Sequence, residues 1–126
     1  MPRFSKHYTI EEASALLPQI RNWFVKLEEI NKEINPLEKQ LRRLVATGYD
    51  TGGEMVTRLV RRQADSRDLF QEFVKREIQV KDLERGLIDF PSYRQGKEIF
   101  LCWEKEEDNI EFWHSIDCGF SDRERL

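Results

Sequence analysis

Apolar residues recur at seven-residue intervals along the first third of the chain, in two interleaved series. One runs Ala13, Ile20, Leu27, Ile34, Leu41 and the other Leu16, Trp23, Ile30, Leu37, Leu44. A helix with one buried seam produces this spacing. Leu17, Phe24 and Val45 widen the seam into a stripe. Thr9-Ile10-Glu11-Glu12 opens the helix as a capping box, in which the Thr9 hydroxyl and the Glu12 carboxylate each take the other's backbone N–H. Pro18 and Pro36 interrupt the hydrogen-bond ladder without interrupting the heptad phase, so they predict kinks within one helix.

Gly48, Gly52 and Gly53 mark a turn over 46–53, with a second capping box at Thr51–Glu54. A second helix is expected from about Glu54 to Gln79. Its seam reads Val56, Leu59, Gln63, Ser66, Phe70, Phe73, Glu77, Val80, which is polar in the middle. Folding back at residue 50 sets Gln63 and Ser66 opposite Leu37 and Ile34. A solvated waist, or a place where a partner inserts, would account for this.

Past Lys81 the period falls to two. Gly86–Phe90 reads as a strand ended by Pro91, Glu98–Trp103 as a second, and Ile110–His114 as a third. Phe100 and Cys102 share one face of the second strand, while Ile99, Leu101 and Trp103 share the other. Seven of the 14 aromatic residues lie between Phe90 and Phe120. Three short strands do not hold together alone, so the sheet must pack on the helices. The expected fold is α+β and mostly α. A long antiparallel helical hairpin, kinked at Pro18 and Pro36, is followed by a three-stranded antiparallel meander. The 126 residues read as a single domain, with the hairpin over 1–81 and an aromatic cap over 82–126.

Charge qualifies this picture. The net charge is −3, but residues 1–81 carry 15 Lys+Arg against 12 Asp+Glu, and residues 82–126 carry 6 against 12. An acidic cap repels nucleic acid and anionic membrane, so neither is an expected partner. Arg58, Arg61, Arg62 and Arg67 form a basic stretch whose simplest reading is a helix face neutralised by Asp65 and Asp68. The start of the chain is not a signal peptide, and no apolar run approaches the length of a membrane span. Two cysteines, Cys102 and Cys118, are expected as reduced thiols in a cytoplasmic protein.

Three stretches carry a family resemblance: Lys81-Asp-Leu-Glu-Arg-Gly-Leu-Ile-Asp-Phe-Pro91, then Leu101-Cys-Trp103, then Phe112-Trp-His114 with Gly119-Phe120. The opening Tyr8–Ala13 with Leu16-Leu-Pro18 completes it. With these the chain resembles a family of small bacterial proteins catalogued only as a domain of unknown function. The resemblance implies a bacterial source and a similar hairpin with a cap, and it brings no activity. The family commonly has glycine before the arginine, where Asp122 stands here.

The familiar nucleotide, metalloprotease, hydrolase and CxxC motifs are absent. Polar groups cluster in the cap at Asp82, Glu84, Arg85, Asp89, His114, Asp117 and Arg123. Histidine beside carboxylates suits general-base chemistry, and arginine suits an anion. Alternatively, Asp89 and Asp117 end strands and His114 is a half-buried strand residue. A ligand in the cap would be held by Asp89, Trp103, His114, Asp117 and Arg123. Cys102, His114, Asp117 and Cys118 are acceptable zinc ligand types, but they lack a paired knuckle. Neither a bound metal nor an organic cofactor is expected.

Length leads to the main functional expectation. A helix of about 36 residues spans about 54 Å, whereas a compact chain of this length has a diameter of about 36 Å. An apolar stripe that outruns its own core calls for a partner, most simply a second hairpin in a two-fold dimer with coiled-coil character. The expected function is therefore that of a non-enzymatic, self-associating interaction protein. The alternative is a small-molecule binder or enzyme with its site around His114 and Asp89.

Overall fold

The computed structural model describes residues 1–48 and 53–126. Helix α1 spans Ile10–Ala46 and helix α2 spans Glu54–Val74. Five strands follow: β1 Gln79–Asp82, β2 Leu87–Arg94, β3 Lys97–Trp103, β4 Phe112–Ser115 and β5 Glu124–Arg125. They pair in sequence order as one antiparallel meander. The fold is α+β and about half helical rather than mostly α, with five strands rather than three. The second capping box and most of the expected turn involve residues 49–52 and lie outside the described residues.

The chain forms two compact units. One comprises Met1–Asn22 with Glu72–Leu126, and the other Trp23–Gln71.

The helical hairpin follows from the seam. Within Trp23–Gln71, Trp23, Phe24, Leu27, Ile30, Ile34 and Leu37 are buried at three- and four-residue steps. The Gln63 amide donates to Glu38 at 3.5 Å and Arg62 pairs with Glu33 at 3.4 Å, so the helices run antiparallel close to the register expected from a fold at residue 50. A hollow of about 330 Å³ lined by Glu29, Glu33, Arg62 and Asp65 lies at the polar waist. Helix α1 continues through Pro18 and Pro36, which both stand on its exposed side, where the carbonyl each leaves unpaired can be hydrated.

At the start of α1 the Thr9–Glu12 box forms as expected. The Glu12 N–H donates to Thr9 Oγ1 at 3.1 Å and the Thr9 N–H to Glu12 Oε1 at 2.9 Å. These bonds hold the Glu12 carboxyl below its usual range.

Helix α2 stops at Val74 rather than near Gln79. Glu77 adopts φ +58°, the Glu77 N–H donates to the Val74 carbonyl, and the Ile78 N–H donates back to Phe73 at 3.0 Å. This is a Schellman stop with its expected apolar contact pair, Phe73 and Ile78, both buried. The chain leaves it extended, which creates β1 where helical periodicity had suggested more helix.

Strand β2 runs through Pro91 instead of ending there. Pro91 stands opposite Phe100, and its carbonyl accepts the Tyr8 N–H at 2.8 Å on the side away from β3. The missing N–H therefore faces the side where β1 has already ended, and no ladder bond is lost. Gln95 and Gly96, with φ +52° and +78°, form a two-residue turn that brings Arg94 opposite Lys97.

Alternation divides the sheet into two faces. Ile88, Phe90, Leu101 and Trp103 share one face, and Asp89, Phe100, Cys102 and His114 share the other. In the same unit Ala13, Leu17 and Ile20 of α1 are buried, and Arg21 lies 5.1 Å from the Trp103 ring. Phe4 packs edge-on against Phe100 on the second face.

The N-terminal segment is tied down by one carboxylate. Glu98 accepts the Arg3 N–H at 2.8 Å, the Phe4 N–H at 3.1 Å and a bond from His7 Nε2 at 2.8 Å. The Arg3 amide, then His7, hold the Glu98 carboxyl below its ordinary value of 4.5. A carboxyl depressed on folding stabilises the fold above its unfolded value, and that contribution is lost as pH falls through the folded value. The amides of Arg3 and Phe4 are therefore expected to lose protection, relative to their intrinsic exchange rates, as pH drops below 4.5. Proton exchange measured against a Glu98→Gln variant checks this. Protection equally pH-dependent in the variant would assign the effect elsewhere.

Candidate functional site

Three neighbouring strands each place one chemically capable side chain on the second face of the sheet. Asp89 of β2 stands opposite Cys102 of β3, and His114 of β4 stands opposite Phe100, one step along the same face. All three are buried, and their ligand-type atoms lie within 4.8 Å of one another.

His114 Nε2 is 3.0 Å from Asp89 Oδ1, with side-chain exposures of 1% and 3%. Its Nδ1 is 2.8 Å from the Ser115 carbonyl. A carbonyl can only accept, so Nδ1 carries a hydrogen, and a carboxylate at Nε2 favours a second one. Burial works against the charged ring, but the bonds to Asp89, Cys102 and the Ser115 carbonyl outweigh it and push the His114 pKa up to about 10. Asp89 and His114 thus form a buried carboxylate–imidazolium pair.

Arg123 borders the cluster. Its guanidinium pairs with Glu107 at 2.9 Å, stacks on Phe112 and Phe120 at 3.9 and 4.1 Å, and is held charged by Glu107 and Cys102 against the effect of burial.

The residues expected around a ligand are only partly brought together. Asp89 and His114 meet, and Arg123 lies beside Cys102. Trp103 points from the opposite face, where its Nε1–H donates to the Glu107 carbonyl at 3.0 Å. Asp117 is on the surface, paired with Arg3 at 3.0 Å. Cys118 is exposed, so the set Cys102, His114, Asp117 and Cys118 does not assemble. Arg85 and Asp82 are occupied locally, Arg85 with Glu104 at 2.8 Å and Asp82 with the Arg85 N–H. Cys102, which the sequence offered only within a zinc-type set with His114, Asp117 and Cys118, joins Asp89 and His114 here. Its shared face with Phe100 was legible, but its place opposite Asp89 depends on hairpin register.

A surface hollow of about 590 Å³ is lined by Arg94, Lys97, Trp113, Ser115 and Asp117, but neither Asp89 nor His114 lines it.

The hairpin unit carries the second candidate surface. Burial of the α1 seam ends at Leu37, beyond which Leu41, Leu44, Met55 and Leu59 are half-buried. Val45, Val56 and Val60 are 66%, 36% and 58% exposed. Arg58 pairs with Glu54, and Arg62 with Glu33 and Asp65, so part of the basic stretch is neutralised as expected. None of the described helices is long and apolar enough to cross a membrane.

Neither the curated proteins nor the solved structures contain a match to this chain. A family model described as "Uncharacterized conserved protein (DUF2203)" matches residues 6–126. The chain belongs to that family, in line with the resemblance carried by its cap and its helix start.

Proposed function

We propose that this protein is a non-enzymatic interaction protein that self-associates through its helical hairpin, two copies forming a dimer with coiled-coil packing. The observation that carries this reading is the fading of burial along the hairpin. The same apolar stripe that is covered through Leu37 is half-covered at Leu41, Leu44, Met55 and Leu59 and open at Val45, Val56 and Val60. Soluble chains rarely leave such a continuous stripe wet.

Charge selects the arrangement. Lys39, Arg42, Arg43, Arg58 and Arg61 outnumber Glu38 and Glu54 and make the distal half of the hairpin basic, whereas Lys26, Lys32, Arg62 and Arg67 nearly offset Glu28, Glu29, Glu33, Asp65 and Asp68 in the proximal half. Two hairpins packed antiparallel keep the two basic halves apart, and parallel packing opposes them. In this reading the chain works as a single domain in a bacterial cytoplasm, without nucleic acid or membrane as partner.

Val56→Glu and Val60→Glu test it. Both side chains are open in the single chain, so its fold is expected to change little. Dimer affinity is expected to fall at least tenfold, read by sedimentation equilibrium. Unchanged self-association in both variants would remove this surface from the interface. A second reading, a small-molecule binder or enzyme in the cap, draws on the contact between Asp89 and His114.

A further inference from the structure

We propose that Asp89, Cys102 and His114 form a binding site for one divalent transition-metal ion of the zinc class. The three residues supply an oxygen, a sulfur and a nitrogen, the donor set that suits zinc and not magnesium or calcium. Their ligand atoms lie within 4.8 Å of one another. Around a tetrahedral zinc such atoms stand about 3.3–3.6 Å apart, given bonds of about 2.0–2.3 Å. Small side-chain rotations close that gap, because all three project from the same face of adjacent strands.

One further feature points to a ligand: the hydrogen bond from His114 Nδ1 to the Ser115 carbonyl at 2.8 Å fixes the tautomer and aims Nε2 into the cluster. Metal-ligating histidines are held by this kind of outer bond. A bound ion would be held by a carboxylate, a neutral imidazole and a thiolate. Three protein donors leave the fourth position of the ion to a water or another small ligand.

This set differs from the Cys102, His114, Asp117 and Cys118 set weighed from the sequence, and it overrides the expectation that no metal is bound. It is also independent of self-association.

Cobalt(II) titration of the full, chelator-stripped chain tests the proposal, because a cysteine-bound cobalt shows a thiolate-to-metal charge-transfer band. The chain has two cysteines, Cys102 and exposed Cys118. One equivalent of cobalt is expected to produce the band, zinc to abolish it by displacement, and Cys118→Ala to retain it in full. Cys102→Ser is expected to lose it, and if that variant does not fold, the Cys118→Ala titration alone assigns the sulfur. No band in the unaltered protein, or loss of the band in Cys118→Ala, would overturn the assignment.

Discussion

Asp89→Ala is expected to destabilise the metal-free protein by about 3–5 kcal/mol, the cost typical of removing one partner from a buried ion pair. The pair is closed to solvent, with exposures of 1% for His114 and 3% for Asp89. Without the carboxylate, Nε2 keeps neither its charge partner nor access to water. Coupling distinguishes this cause from simple loss of packing. Replacing both residues by apolar ones, as in Asp89→Leu with His114→Phe, removes the stranded group, so the double variant is expected to lose less than the sum of the two single variants. Chemical denaturation of the unaltered chain, Asp89→Ala, Asp89→Leu, His114→Phe and the double variant reads this directly. Strict additivity, or a loss below about 1 kcal/mol for Asp89→Ala, would show that the contact carries no such pairing.

Leu27→Ala is expected to cost about 2–5 kcal/mol by leaving a cavity in the hairpin unit. Leu27 has no exposed surface and lies at the centre of the buried run from Trp23 to Leu37. The same truncation at Leu41, which is half-buried, is expected to cost clearly less in the single chain. Thermal unfolding at low protein concentration checks the ranking, since dilution removes any contribution from a partner copy. Equal losses at the two positions would mean that burial does not fade along the hairpin.

Helix α1 was the most legible part of the fold, because period and capping agree in it. Ten apolar residues in two heptad series and a capping box at Thr9 and Glu12 all describe one surface of one helix. The central strands were legible for the same reason, since alternation over Glu98–Trp103 has a single reading. The missed strands lack such a signal. Strand β5 is two polar residues, Glu124 and Arg125, too short to show any alternation. Strand β1 depends on the helix stopping at a non-glycine residue, Glu77, in the left-handed region, where glycine is the usual cue. Strand β2 outlasts Pro91 because the side facing away from β3 has no N–H to lose, a fact of topology rather than of composition.

The cap site was half legible. Asp89 and His114 were identified by residue type, and the strand periods placed Cys102 on a defined face. Only the register, Asp89 with Cys102 and Phe100 with His114, converts three separate positions into one cluster. That register is set by the tight turn at Gln95-Gly96 and by the length of the β3–β4 connection. Trp103 and Asp117 were expected around the same ligand. Alternation sends Trp103 to the other face, and Asp117 lies beyond the end of β4.

The solution mass of the unaltered chain tests the self-association account most directly. Light scattering at tens of micromolar is expected to give twice the chain mass of 15.2 kDa. A mass of one chain at that concentration would contradict it.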